Sequence, residues 1–301
     1  MAPTAQPGVP FGRVLTAMVT PFAAAGSLDL NAAQRLATDL VELGCDGLVL
    51  NGTTGESPTT SDVEKAALIT AVLEAVGDRA HVLAGVGTND THHTIELARQ
   101  AEKAGAHALL VVTPYYNKPP QSGLLAHFRA VADSTGLQVM LYDIPGRTGT
   151  AIATETLTRL SEHPRIVANK DAKADPFAAQ QVMHACDLAY YSGDDALTLP
   201  LLAVGAVGVV SVTAHLVADR IAACIEAYLS GEVTKAREIN DGLVPVTTGV
   251  MTRTQGVIMV KAGLDLLGRA GGGSPRMPLP AATDPEREQL RADLRAGGFD
   301  L

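Results

Sequence analysis

Apolar runs of strand length alternate with alanine-rich stretches of helical length along this chain, at about 25–30 residues per unit. The runs that read as strands are Val14–Thr20, Gly47–Leu50, His81–Val86, Ala108–Thr113, Gln138–Tyr142, Ile166–Lys170, Leu188–Ser192 and Gly208–Val212. Helical stretches fall between them near residues 31–43, 61–76, 91–104, 122–135, 154–162, 175–185 and 196–204. Ser61 with Glu64 spells a capping box, and Thr154 and Asp175 are suited to open helices. Eight strands, each followed by a helix, predict an α/β fold of the (β/α)8 TIM-barrel type. A doubly wound open sheet is the competing architecture. It ordinarily carries a glycine-rich phosphate loop after its first strand, whereas this first strand runs into Thr20, Pro21 and Phe22. Gly85 and Gly87 make only a partial fingerprint, lacking the third glycine.

Beyond the eighth strand, amphipathic stretches lie at 214–230, 232–243 and 246–267, then a glycine-rich loop at 270–274 and a charged helix near 284–296. This exceeds what an eighth barrel helix needs. The expected division is a catalytic barrel over 1–231 and a small C-terminal helical appendage over 232–301.

Composition narrows the function. With 301 residues, 47% of them hydrophobic, the chain can bury a large core. A net charge of −9 argues against a general nucleic-acid surface, so acidic ligands must be met by local cations and backbone N–H groups. Cys45, Cys186 and Cys224 are far apart in sequence, without metal-ligand or redox spacing, and read as reduced thiols. His92 and His93 are adjacent and face different ways on a helix, so no metal set is expected. Met1–Pro10 shows no secretory signal, and no apolar run reaches membrane-spanning length. A cytoplasmic protein is the expectation.

The candidate chemistry collects at strand ends. Ile166–Lys170 is a short buried strand that ends on a lysine. At such a position burial disfavours the charged amine and leaves a fraction free to attack a carbonyl. Taken alone, Lys170 reads more readily as a surface lysine paired with Asp171. After the second strand, Asn51–Ser57 holds Thr53 and Thr54 in a glycine-rich turn able to receive a carboxylate. The fourth strand leads to Tyr115 and Tyr116, and the fifth to Tyr142, Asp143 and Arg147. A strand-end tyrosine is either core or an acid–base group, and Arg147 either clamps a carboxylate or pairs on the surface. The seventh strand ends at Ser192 and Gly193. A barrel gathers all these strand ends on one rim. An amine, phenols, hydroxyls and an arginine are the parts that imine chemistry on a keto acid requires.

Gly52–Glu56, Pro114–Tyr116, Tyr142–Arg147, Lys170–Asp171 and Ser192–Asp195, in that order, resemble the dihydrodipicolinate synthase family. Its members are also called 4-hydroxy-tetrahydrodipicolinate synthases, within the N-acetylneuraminate lyase-like superfamily of class I aldolases. The resemblance spans essentially the whole chain. It implies a lyase condensing pyruvate with L-aspartate 4-semialdehyde in the first committed step toward diaminopimelate and lysine. No cofactor is implied beyond the covalent pyruvate imine on Lys170. Tyr142 would move protons, and Thr54 would bond Tyr142 and help hold the pyruvate carboxylate. Tyr116 would enter from a neighbouring subunit to complete a Thr54–Tyr142–Tyr116 relay. Thr53 would supply turn contacts, Gly193 and Val210 backbone near the substrate, and Arg147 the grip on the semialdehyde carboxylate. A homotetramer built as a dimer of dimers is implied.

Four departures from the family pattern stand out. Asn169 replaces an apolar residue before the lysine, faces the helix layer and needs a buried partner. Asp143 adds a charge where asparagine is common. In lysine-inhibited members two histidines follow the glycine–threonine turn and a glutamate follows the third strand; the matching residues here are Asp62, Lys65 and His93, with only Asn89 and Tyr115 fitting. Weak or absent lysine feedback is therefore expected. The alternatives are a pyruvate-dependent lyase of N-acetylneuraminate or a keto-deoxy sugar acid, and a non-catalytic relative. Thr53 and Thr54 together with Tyr116 and Arg147 favour the synthase, while Lys170 and Tyr142 speak against a dead relative.

Overall fold

The computed structural model describes residues 3, 6 and 8–301; most of the Met1–Pro10 stretch judged for a secretory signal lies outside the described residues. Eight parallel strands close into a barrel in sequence order: β1 (Val14–Ala17), β2 (Gly47–Leu50), β3 (His81–Gly85), β4 (Ala108–Val112), β5 (Gln138–Asp143), β6 (Ile166–Asp171), β7 (Ala189–Ser192) and β8 (Gly208–Ser211). Closure comes from β1 on β8, with Leu15 opposite Val210. Every expected strand forms within two or three residues of its predicted ends.

The strands are buried on both faces because two apolar layers enclose them. Alternate side chains point inward, where Leu15, Val49, Leu83, Leu110, Met140, Ala168, Tyr191 and Val210 fill the barrel. The outward set, including Leu48, Val82, Val111, Leu141 and Tyr190, meets the surrounding helices. The period of two has one consequence for function. Lys170 falls in phase with inward Ala168, and Asn169 in phase with the outer layer.

The helices are α1 (Leu30–Glu42), α2 (Asp62–Val76), α3 (Thr91–Lys103), α4 (Gln121–Asp133), α5 (Pro145–Thr148), α6 (Thr154–Ser161), α7 (Pro176–Ala185), α8 (Thr198–Ala203), α9 (Ala214–Leu229), α10 (Val233–Met251), α11 (Gly256–Leu266) and α12 (Asp284–Ala296). Ser61 and Glu64 form the expected capping box on α2, and Asp175 caps α7 through the Ala178 N–H. Thr154 does not cap: Ala153 occupies the cap position of α6 and makes no side-chain bond. The division expected between the stretches 232–243 and 246–267 is also absent. α10 runs through Pro245 and ends near Thr252, its buried face of Leu243, Val246 and Val250 outweighing one forfeited ladder bond. The core continues without interruption from the barrel helices into α10, α11 and α12. Eight successive residues of α11, Val257–Leu264, are buried, which sets it inside the protein rather than on it.

Candidate active site

The carboxyl ends of β2 to β5 and their loops surround a cavity of about 570 Å³. Thr53, Tyr116, Tyr142 and Arg147 line it, along with Tyr115, Asp62, Lys65 and His93. Lys170 is not part of this lining; it stands behind Tyr142, its Nζ 4.1 Å from the centre of the phenol ring. The strand register explains the pairing, since Tyr142 and Lys170 are direct neighbours on β5 and β6.

Lys170 is 5% exposed. Burial lowers its pKa from 10.5 to about 8; the Asp195 carboxylate opposes that and the Arg147 charge adds to it. At pH 7.5 the neutral fraction rises from roughly 0.1% for an ordinary lysine to about a quarter. Tyr142 moves the other way. Burial pushes its phenol up to about 12, while the Arg147 charge and a hydrogen bond with the Thr53 hydroxyl pull it down.

Thr53 rather than Thr54 shares the cavity lining with Tyr142 and pulls its phenol down, where the family resemblance had assigned Thr54. Thr54 is buried in the turn, off the cavity lining. Tyr116 has a left-handed φ of 72° and is 88% exposed, so its phenol stands out from its own barrel. Arg147 sits on the short helix α5 at the rim, exposed to the cavity. Gly193 lies against the lysine itself. A methyl group there would come within 3.0 Å of Lys170 Cγ and of the Asp171 carbonyl oxygen. The Gly193 N–H is already given to that oxygen at 2.7 Å. Val210 is buried inside the barrel on β8.

The two charge-related departures lie on the outer side of the strands. Asp143 is fully buried, accepts from the Ile152 N–H and meets Lys173 Nζ at 3.1 Å. Lys173 also reaches Asp171 at 3.1 Å, and Asp171 accepts from the Tyr190 hydroxyl at 2.5 Å. Burial lifts the Asp143 carboxyl to about 6 against the pull of Lys173. Burial alone would lower Lys173, but the two carboxylates outweigh it and raise its pKa. Asn169, also fully buried, lies beside the Tyr190 phenol and lowers its pKa, but neither end of its amide meets a partner in hydrogen-bond geometry.

Sequence reasoning counted Glu56 and Asp195 among the family motifs but gave them no role, and passed over Lys173 and Lys261. Asp195 is cradled by the Ser211 and Thr213 hydroxyls and by the Val212 N–H, a cluster that unites loops of β7 and β8. Its place beside Gly193 and Asp194 was the available signal. Lys173 and Lys261 had none, because an isolated lysine reads as surface. Among the described residues, no three His, Cys, Asp or Glu side chains are grouped as a metal ion would require.

The profile of the Dihydrodipicolinate synthetase family matches residues 10–297. The chain is 64% identical over 301 residues to 4-hydroxy-tetrahydrodipicolinate synthase 2 of Streptomyces coelicolor, covering 100% of both chains. It is 66% identical over 290 residues to the 4-hydroxy-tetrahydrodipicolinate synthase of Acidothermus cellulolyticus, covering 96% of this chain and 94% of that one. The crystal structure of the dihydrodipicolinate synthase of Cyanidioschyzon merolae with lysine bound superposes with a TM-score of 0.93 at 42% identity, covering 96% of this chain and 98% of that one.

Proposed function

The chain belongs to the dihydrodipicolinate synthetase family and has 4-hydroxy-tetrahydrodipicolinate synthase activity, and from that premise we propose that Lys170 carries the reaction as an imine-forming nucleophile. The observation that carries this reading is the amine of Lys170, buried against the Tyr142 ring and lowered to about pKa 8. The neutral amine attacks the keto carbon of pyruvate, and loss of water gives a protonated imine on Lys170. That imine is an electron sink. Removal of a methyl proton yields an enamine, whose carbon attacks the aldehyde of aspartate semialdehyde. The semialdehyde's amino group then displaces the lysine as the ring closes, and Lys170 is returned free.

Tyr142 shuttles protons to and from these intermediates. A phenol at about pKa 12 is a poor base alone, so it needs a relay through Thr53 and Tyr116. The exposed Tyr116 suits a role in a neighbouring subunit's site, as a dimer pair within a homotetramer. Thr53 and Thr54 receive the pyruvate carboxylate, helped by backbone near Gly193 and Val210. Arg147 receives the carboxylate of the semialdehyde at the rim. No cofactor takes part in this scheme. Among the described residues no helix is long and apolar enough to cross a membrane. We place the chain, as a biosynthetic enzyme acting on small soluble substrates, in the cytoplasm.

The test is product formation from pyruvate and aspartate semialdehyde, coupled to the next reductase, with N-acetylneuraminate and keto-deoxygluconate cleavage run alongside. Turnover with the semialdehyde alone, lost in Lys170→Ala, is the expected result. Sugar-acid cleavage, or turnover surviving that substitution, would overturn it.

A further inference from the structure

The turn that presents Thr53 to Tyr142 is tied from behind by a residue 208 positions later in the chain, Lys261 (261 − 53). Lys261 lies in the middle of α11 with 0% side-chain exposure, and its Nζ meets Glu56 Oε1 at 2.5 Å. The other oxygen of Glu56 accepts from the Arg276 backbone N–H at 2.7 Å. The Arg276 guanidinium continues to Glu64 at the start of α2 and to the carbonyl oxygens of Thr59 and Gly26. The Phe22 ring lies against both cations, 4.5 Å from Lys261 Nζ and 4.1 Å from the Arg276 guanidinium carbon.

Glu56 holds a left-handed backbone at φ 56°, a conformation that a glutamate adopts only under outside constraint. Its own N–H bonds the Thr53 carbonyl at 3.1 Å, and Ser57 N–H bonds that of Gly52 at 3.2 Å, closing the turn. The connection thus runs from Lys261 to the Glu56 carboxylate, through Glu56 backbone to Thr53, and so to Tyr142. A buried ion pair is a poor source of net stability. Its geometric demand is strict, which suits fixing one loop against one helix.

We propose that Lys261, with Glu56, is a positioning residue for the active site, so that helix α11 of the C-terminal region sets the Thr53 turn against Tyr142. The inference rests on the imine mechanism above. Its function is to keep Thr53 at one distance from Tyr142 while pyruvate is captured; neither Lys261 nor Glu56 meets substrate.

The experiment measures the rate at which borohydride with pyruvate inactivates the enzyme, a readout of imine formation, beside the melting temperature. Lys261→Met leaves a buried carboxylate unpaired and lowers both. Glu56→Gln with Lys261→Met removes both charges, so the melting temperature recovers while the tether stays broken. A trapping rate still lowered about tenfold or more in that folded double variant is the expected result, the scale that a small misplacement of a catalytic group produces. A double variant trapped within about fivefold of the wild-type rate would show the pair to be structural only and overturn the proposal. If the double variant does not fold, Glu56→Gln, which leaves the Lys261 ammonium without its carboxylate, is assayed well below its own melting temperature, with slowed trapping in the folded enzyme supporting the proposal and unchanged trapping refuting it. Wild-type protein that pyruvate and borohydride do not inactivate fails at the imine mechanism; normal trapping in wild type and variants alike fails at Lys261 only.

Discussion

Lys170 joins reactivity and stability in one side chain. Its folded pKa of about 8 lies below the 10.5 of a free lysine, so folding disfavours its charged form. Below pH 8 this costs about 3–4 kcal/mol, at about 1.4 kcal/mol for each tenfold change in proton affinity. The cost fades as pH rises from 8 to 10.5, because there the folded chain has given up the proton that the unfolded chain still binds, so removing protons favours folding. Lys170→Met is therefore expected to be inactive yet to melt higher than the wild type at pH 7, with the difference shrinking above pH 8. Denaturation across pH 6–10 checks this, and a variant less stable at pH 7 would contradict it. Asn169 makes a similar point on the other face of the strand. Both ends of its buried amide lack partners, a loss of about 1–3 kcal/mol. Asn169→Leu, close in size and facing the outer apolar layer, should raise stability by about 1–2 kcal/mol in urea and leave turnover within about twofold. A fall in stability would mean that the amide is satisfied in solution.

Among the elements, α2 faces the cavity with Lys65 and Asp62. Lys65 is buried and its Nζ donates to the carbonyl oxygens of Ser57 at 3.0 Å and Thr60 at 2.5 Å. His93 meets Asp62 at 3.0 Å across the same wall. A cation already fills the place where a lysine effector needs acceptors. L-lysine titrated into the steady-state assay is expected to leave the rate unchanged through the low millimolar range; half-inhibition in that range would refute it. The same elements show what the sequence could convey. Strand positions were legible because apolar runs bounded by turn residues have few other meanings. Lys170 and Tyr142 could be paired because strand ends must share a rim. The division between the stretches 232–243 and 246–267 was misplaced because the pattern alone does not show that burial carries α10 on through Pro245. The Thr53–Thr54 assignment was open because adjacent residues in a turn point different ways, and only coordinates tell which meets the phenol. The tie from Lys261 to Glu56 was illegible, since nothing in a single lysine on an apolar helix announces a partner so far away.

At the scale of the whole molecule, the proposed relay draws its Tyr116 from a second copy of the chain. Tyr116 and Tyr142 line the same cavity, but Tyr116 is 88% exposed while Tyr142 is enclosed, which leaves the Tyr116 phenol free to serve a neighbouring subunit's site in the proposed relay. Subunits bearing Lys170→Ala and subunits bearing Tyr116→Phe should each be nearly inactive, the second by about tenfold or more for loss of a proton-transfer group. Mixed and reassembled, they should regain activity. The Lys170→Ala subunits then lend an intact Tyr116 to sites whose lysine is intact. No gain on mixing would place Tyr116 outside the relay or within its own chain.

The central claim is that one buried lysine among several is the nucleophile. Lys65, Lys173 and Lys261 are also largely buried, so mere burial does not distinguish them. The most direct measurement is reduction with borohydride in the presence of pyruvate, followed by peptide mass mapping. A single reduced pyruvate adduct on Lys170, appearing as activity disappears, is the predicted result. An adduct on another lysine, or loss of activity without any adduct, would contradict it.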